Sequence, residues 1–258
     1  MSSPPVSPPP QGRAQASASV VPPRRRMRRF LSVLPYLLSV LVLGVFFANL
    51  AWIASGDGNW KPAFERNGVV VESRKARGQA NYHFRATMRS EYTLNQLVGG
   101  LIENATLDNC LDNIPGCMDM QVISPFNPAT MSDTVLWKLE LPGPFLPREA
   151  VMRSYVKQDP ATGTVTVDII AAPNAAPRSP GAVRLTHIQN RWTYRPLGGG
   201  QTEIQFLQDI DMGGFFPVLL MNLGGAEQTY AFLHDQLPGL LERDAVTQAR
   251  YEFIREIP

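Results

Sequence analysis

Three histidines, two cysteines, one acidic pair and one run of glycines are the residues of this chain best suited to catalysis or metal binding. His83, His187 and His234 lie far apart with no ligand spacing among them, and no HExxH, GxSxG or CxxC occurs. His187 reads as a polar residue on a sheet face. Gly198-Gly199-Gly200 is followed by neither Lys-Ser nor Lys-Thr and opens no helix, so it is not a phosphate loop. Asp108 and Asp112 sit four apart on a short helix, the usual spacing of a solvated face. Cys110 and Cys117 read either as a disulfide, if the domain is exported, or as two partly buried thiols. No catalytic residue, metal site or cofactor is expected.

The elements that must carry these residues follow from composition. The 258 residues are 44% hydrophobic and 18% charged, with 23 prolines, 20 glycines and a formal charge of +2. Two cysteines are too few for a disulfide scaffold or a four-thiolate zinc site. Residues 1–29 hold six arginines (Arg13, Arg24, Arg25, Arg26, Arg28 and Arg29) and no acid, which leaves −4 for the remainder. A mildly acidic body argues against nucleic acid as a partner, because phosphate binding needs a clustered basic face.

Residues 1–29 read as a disordered, Pro- and Arg-rich cytoplasmic tail, since 1–23 carry seven prolines and few large apolar groups. Residues 30–54 read as a transmembrane signal anchor. The uncharged run Phe30–Ile53 would extend ~36 Å as a helix, enough for a ~30 Å hydrocarbon layer. Pro35 falls in its first turns and Trp52 at the far interface. Arginines stay on the cytoplasmic side, so the chain beyond should be extracytoplasmic, in a periplasm-like space beside the inner membrane. A cleaved signal peptide releasing a soluble periplasmic domain is the alternative, and a start at Met27 would give it a short basic leader. The long apolar run and the lack of a clean A-x-A site favour the anchor.

From residue 60 onward the pattern is that of an α+β domain over 60–242. Asn67–Ala76 and Tyr82–Ser90 read as strands, and Thr93–Asn104 as a helix capped by Thr93 but weakened by Gly99-Gly100. Leu107–Ile114 reads as a short helix. Val135, Trp137, Leu139 and Leu141 share one strand face, as do Val165, Val167 and Ile169. Val183–Pro196 and Thr202–Met212 form a hairpin about Leu197–Gln201. Phe215–Leu241 is helical in composition, apolar nearly all round, and an amphipathic helical extension is expected over 243–258.

Five segments in order carry a family resemblance. They are Gly143-Pro144-Phe145-Leu146-Pro147-Arg148-Glu149, Gly181-Ala182-Val183-Arg184, Trp192 with Pro196-Leu197, Gln201-Thr202-Glu203-Ile204, and Asp211-Met212-Gly213-Gly214-Phe215-Phe216-Pro217 running into Leu219-Leu220-Met221-Asn222. Together they resemble the START (steroidogenic acute regulatory protein-related) lipid-transfer family over about residues 60–242. The resemblance implies a helix-grip fold: a curved antiparallel sheet around a long C-terminal helix, enclosing a tunnel for one lipid or other hydrophobic small molecule, for transfer or sensing that the orientation read from the arginines would put outside the cytoplasm.

On that basis the expected lining is Trp137, Val167, Ile169, Trp192, Phe206, Phe215, Leu219, Leu220, Leu223 and Phe232, whose other role is ordinary core. The loop Ala172–Gly181, with Pro173, Pro177, Pro180 and Gly181, corresponds to the family's gate. Arg148 and Arg184 read as structural partners of acids at the sheet rim, or as polar ligand contacts. The resemblance implies no enzyme. The alternatives are a cavity enzyme of the aromatase/cyclase type, using Arg153, Tyr155, His187 and Tyr194, and a partner-binding module without ligand.

Overall fold

A computed structural model describes residues 24–257, with side chains from Pro35 onward. The tail 1–23 and the side chains of the arginine cluster lie outside the described residues. Two compact units divide the chain, Met1–Leu50 and Ala51–Pro258.

In the first unit, helix α1 (Arg24–Ala54) contains Pro35. Starting at Arg24 moves Pro35 from the expected first turns to the helix interior. The stretch Pro35–Ala54 has a mean hydropathy of 2.3 over 20 residues, none of them buried. That is long and apolar enough to cross a membrane.

The second unit includes the last turn of α1, where the buried Lys75 Nζ donates to the Trp52 and Ser55 carbonyls at 2.5 and 2.9 Å. A cation at a helix C-terminus satisfies carbonyls that have no intrahelical donor. Its strands are β1 (Lys61–Arg66), β2 (Val69–Arg74), β3 (His83–Ser90), β4 (Cys117–Asn127), β5 (Ser132–Leu139), β6 (Arg148–Gln158), β7 (Val165–Ala171), β8 (Val183–Arg184), β9 (His187–Gly198), β10 (Gln201–Gln208) and β11 (Ile210–Asp211). The main sheet runs β1-β2-β3-β10-β9-β7-β6-β5-β4, antiparallel throughout, while β8 joins β6 in parallel and β11 pairs β9. Alternation sets its faces: in β9, Ile188, Asn190, Trp192 and Tyr194 are buried while Gln189, Arg191 and Arg195 are exposed.

Helices α2 (Leu94–Ile102) and α3 (Leu107–Asn113) connect β3 to β4. Thr93 caps α2, its Oγ1 accepting from the Gln96 amide at 3.2 Å. Helix α4 (Val218–Ala231) continues through a π-helical turn, Phe232–Gln236, into α5 (Leu237–Leu241). Gly99 and Gly100 belong inside α2 because a Cβ at either would run into Ala249 or Leu241. The fold is α+β helix-grip, with a large antiparallel sheet and a C-terminal helix.

The helical extension expected over 243–258 is corrected to one short helix, α6 (Asp244–Thr247). Beyond it the chain is held by tertiary contacts. Val246 and Ile254 enter the core, and Glu256 accepts from the Leu94 and Asn95 amides at 3.1 and 2.8 Å. A carboxylate there satisfies amides at the start of α2 that have no intrahelical acceptor and favourably meets the positive end of its dipole.

Cys110 and Cys117 form a disulfide between α3 and β4, with Cα atoms 5.7 Å apart. For so short a loop the chain-entropy model gives about 2.5 kcal/mol. The Cys110→Ala/Cys117→Ala double variant is therefore expected to lose about that much in urea denaturation, and reductant should lower the parent's midpoint but not the variant's.

Candidate functional site

A hollow of about 180 Å³ lies between the concave sheet face and the helices. Asp133, Val135 and Trp137 of β5 supply one wall, spaced two apart so that all three point inward. Met152 and Ser154 of β6, Ile169 of β7, Asn190 and Trp192 of β9 and Phe206 of β10 continue it. Gly100 and Leu101 from the C-terminal half of α2, Asn104 and Ala105 just beyond it, Asn109 of α3, Ile114, Phe232 and Leu240 close the other side. Trp192 stacks on Phe206 at 4.3 Å, and Phe232 meets both rings at 5.7 and 5.5 Å. These rings make a rigid apolar floor.

Of the ten residues expected to line it, Trp137, Ile169, Trp192, Phe206 and Phe232 do so. Val167 is packed wholly into the core instead. The other four require a correction. Phe215, Leu219, Leu220 and Leu223 are 90%, 65%, 49% and 73% exposed and stand outside the hollow. Helix α4 buries residues only in its second half, Gly225, Thr229 and Tyr230, while its first half is tied through Asn222, whose Oδ1 accepts from the Tyr82 amide at 2.8 Å and whose Nδ2 donates to the Ala80 carbonyl at 3.1 Å. Gly225 sets that closeness, since a Cβ there would overlap the Phe84 ring. The apolar first half therefore reaches solvent, beside the half-exposed Leu146, whose neighbour Phe145 meets Phe216 at 4.9 Å.

The segment Ala172–Gly181 contributes no side chain to the hollow. Arg184 holds it: Nη1 donates to the Pro173 and Ala176 carbonyls at 2.5 and 3.0 Å, and Nη2 to Pro177 at 2.6 Å. The same guanidinium pairs with Glu149 at 2.8 Å, with both side chains buried, and Ser179 Oγ donates to Glu149 at 2.5 Å. Burial pushes the Glu149 carboxyl up, but the Ser179 and Arg184 bonds outweigh it and hold it below its ordinary value. Pro180 and Gly181 then lead into β8, where Val183 lies against the left-handed Gly213-Gly214 turn that starts the approach to α4.

Arg148 differs from the expectation of an acid partner. Its guanidinium donates to the carbonyls of Met212, Leu146 and Gly213 at 2.6, 2.5 and 3.1 Å and lies near the Phe216 ring. Both arginines thus fix backbone at the edge of the sheet, and neither faces the hollow.

Two of the three histidines, unrelated by spacing, meet on one carboxylate. His187 Nε2 and His83 Nδ1 lie 2.8 and 3.4 Å from the two Asp209 oxygens. Antiparallel pairing of β3 with β10 and of β10 with β9 causes this, and only the sheet order could have revealed it. Burial lowers the His83 pKa below its ordinary value even with Asp209 beside it. A depressed histidine binds fewer protons folded than unfolded, so stability is lost as pH falls from about 6.5 toward the folded value. The expected slope is at most about 1.4 kcal/mol per pH unit, the limit for one proton. Thermal melts between pH 7.5 and 5.5 check this, and His83→Gln should flatten the curve.

The residues considered for an enzyme stay apart. Tyr194 is buried in the core, Arg153 donates to Thr134, Tyr155 is exposed, and His187 is engaged with Asp209. None of them lines the hollow. Among the described residues, no group of three or more His, Cys, Asp or Glu could hold a metal.

No family model matches the chain. An uncharacterized protein of Pseudomonas aeruginosa is 23% identical over 189 residues, covering 72% of this chain and 87% of the relative. Among solved structures, the STAR-related lipid transfer protein of Xanthomonas axonopodis (fragment 25–204) aligns with a TM-score of 0.63 at 21% identity, over 72% of this chain and all of that one. Human STARD10 aligns at 0.60 and 14% identity over 76% and 78% of the two chains. Human StAR-related lipid transfer protein 5 gives 0.53 at 18% over 83% and 98%. The second unit thus has the START-type helix-grip fold.

Proposed function

We propose that this chain is a membrane-anchored protein that binds one hydrophobic molecule within its sheet-and-helix hollow and carries or senses it outside the cytoplasm, without catalysing a reaction. The hollow itself carries the reading: a mostly apolar, partly open space floored by three aromatic rings inside a fold shared with lipid-transfer proteins. The apolar helix supports anchoring, the arginines before it favour a cytoplasmic N-terminus, and the disulfide suits an oxidising compartment. Lipid and membrane are the partners, and neither nucleic acid nor a cofactor takes part.

The hollow is below the ~300–1,000 Å³ of pockets that enclose drug-sized ligands. A whole lipid therefore enters only if the walls part. The first half of α4 would be the part that opens, since Leu219, Leu220 and Leu223 are exposed and its polar tie to the body is Asn222, whose bonds to Tyr82 and Ala80 would have to break. Phe215, Leu219, Leu220 and Leu223 would enter a bilayer surface while the loop Ala172–Gly181 separates from the helix. The lipid then passes from one apolar medium to another, so opening rather than transfer free energy sets the rate.

The test is lipid identification by native mass spectrometry of the full chain isolated from its own membrane. One lipid class at near-stoichiometric amount supports the reading, and several unrelated lipids at background level end it. A reporter active only in the cytoplasm, fused after Pro258, should stay silent.

A further inference from the structure

The end of α1 is built into the second unit rather than hung from it. A helix finishes with carbonyls that lack intrahelical donors, and here the domain supplies them. The Gly78 amide donates to the Ile53 carbonyl at 2.8 Å, while Lys75 Nζ serves the Trp52 and Ser55 carbonyls and lies 4.7 Å from the centre of the Trp52 ring. Only residues 55–60 separate α1 from β1, a link that spans at most ~20 Å even when extended. The link is itself tied: the Gly58 amide donates to the Lys75 carbonyl at 3.1 Å, and a Cβ at Gly56 would overlap that carbonyl. A tether meant to let a domain roam needs none of these contacts.

The same junction reaches α4. Trp52 Nε1 donates to the Ala80 carbonyl at 2.9 Å, and Asn222 Nδ2 donates to that same oxygen at 3.1 Å. A carbonyl has two lone pairs, so one atom joins the last turn of α1 to the first half of α4. An aromatic route runs beside it. The Tyr82 ring meets Trp52 edge-on at 5.9 Å and Phe84 at 6.2 Å, and Phe84 is the ring against which Gly225 packs. Leu223 directly follows Asn222, and Leu219 lies one turn before it, so the exposed leucines of α4 begin where the chain leaves its apolar span. Trp52 remains 38% exposed, which leaves it a face for the headgroup level that tryptophan prefers.

Resting on the reading of α1 as a membrane anchor, we infer that Trp52 and Lys75 are positioning residues for α4: they hold its first half at the leaflet where α1 ends, so the bilayer met by Phe215, Leu219, Leu220 and Leu223 is the one that holds the chain itself. The occupant of this apolar face is the lipid surface of the protein's own membrane. Opening breaks the two bonds of Asn222, while the Trp52 bond keeps the Ala80 carbonyl in place for their return.

The experiment uses the full chain in vesicles of phosphatidylethanolamine and phosphatidylglycerol. Both cysteines of the chain are tied in the disulfide, so Leu219→Cys offers a single thiol for a nitrobenzoxadiazole label. Doxyl-labelled phosphatidylcholine in the chain's own vesicles is expected to quench that label at least about tenfold more than the same lipid in separate vesicles, because a fixed junction raises the effective concentration of its own leaflet. The label at Val122→Cys, on the sheet edge opposite β1 in strand order, should be quenched several times less. Trp52→Phe deletes the N–H and keeps an aromatic ring, and should speed amide exchange over 218–224 about fivefold, the effect of one lost hydrogen bond. Lys75→Met should move the same amides in the same direction. Equal quenching from both vesicle populations, equal quenching at the two labelled positions, or unchanged exchange in Trp52→Phe overturns the positioning role while leaving the anchor intact. Release of the chain from the vesicles by alkaline carbonate overturns the anchor reading itself.

Discussion

Glu149→Gln is expected to lower unfolding free energy by about 3–5 kcal/mol, the range found when one partner of a buried ion pair is removed. The substitution keeps size and shape but leaves the Arg184 guanidinium charged and without its counter-ion, both side chains being fully buried. It also weakens the acceptor for Ser179. The loss should be local before it is global. Arg184 holds the Pro173, Ala176 and Pro177 carbonyls, so amides over 172–181 should exchange faster well below the unfolding midpoint. The pH sign follows from a carboxyl held below its ordinary value: its contribution is present above about 4.5 and disappears as pH falls through the folded value. Urea titrations at pH 7 and pH 3.5 should therefore show a large gap between parent and variant at the first pH and a smaller one at the second. A loss under 1 kcal/mol at neutral pH would mean that the pair does not hold the loop. Adding Arg184→Met should recover part of the loss by removing the stranded charge, giving a measurable coupling energy.

That pair also shows what kind of information the chain carries in plain view. Glu149 and Arg184 fall in the recognisable segments around Phe145 and Val183, and Arg184 was expected to pair with an acid at the sheet rim or to contact ligand, although its meeting with Glu149 depends on the parallel pairing of β8 with β6. Strand faces were readable wherever apolar residues alternate. Extending the alternation of Val135 and Trp137 back by two reaches Asp133, so the signal for the inward carboxyl was present, but an acid on an inward face is not what alternation leads one to expect. Asn67-Gly68, both at positive φ, is a hairpin turn in the sequence itself, yet β1 went unread because its six residues are mostly exposed and offer no apolar stripe. Gly99-Gly100 lowered the expectation of a helix for a sound local reason, and close packing against Ala249 and Leu241 overrode it. The exposure of Phe215, Leu219 and Leu223 was beyond reach, since an all-round apolar helix is expected to be covered by something. Only the grip of Gly225 on Phe84 decides which half of α4 the sheet covers.

The second large effect separates the two apolar populations of this domain. Trp192→Ala is expected to cost about 3–5 kcal/mol, because Trp192 is 2% exposed and its ring contacts Phe206 and Phe232 across the floor of the hollow. The same truncation enlarges the space from its present 180 Å³, so a bulkier apolar fluorophore should bind the variant better than the parent wherever both remain folded. Leu223→Ser, 31 residues further on, removes an apolar side chain that is 73% exposed, and its stability should stay within about 0.5 kcal/mol of the parent. Its effect should appear in kinetics. If the first half of α4 enters a bilayer to open the hollow, Leu223→Ser combined with Leu219→Ser slows exchange of a fluorescent lipid between vesicles several-fold while leaving equilibrium binding unchanged. The opposite partition, with stability lost at Leu223 or exchange unaffected by the pair, would place this surface under another part of the protein and leave the opening step without its membrane contact. Stability and exchange rate measured on the same three variants therefore distinguish a helix that merely covers the sheet from one that opens it.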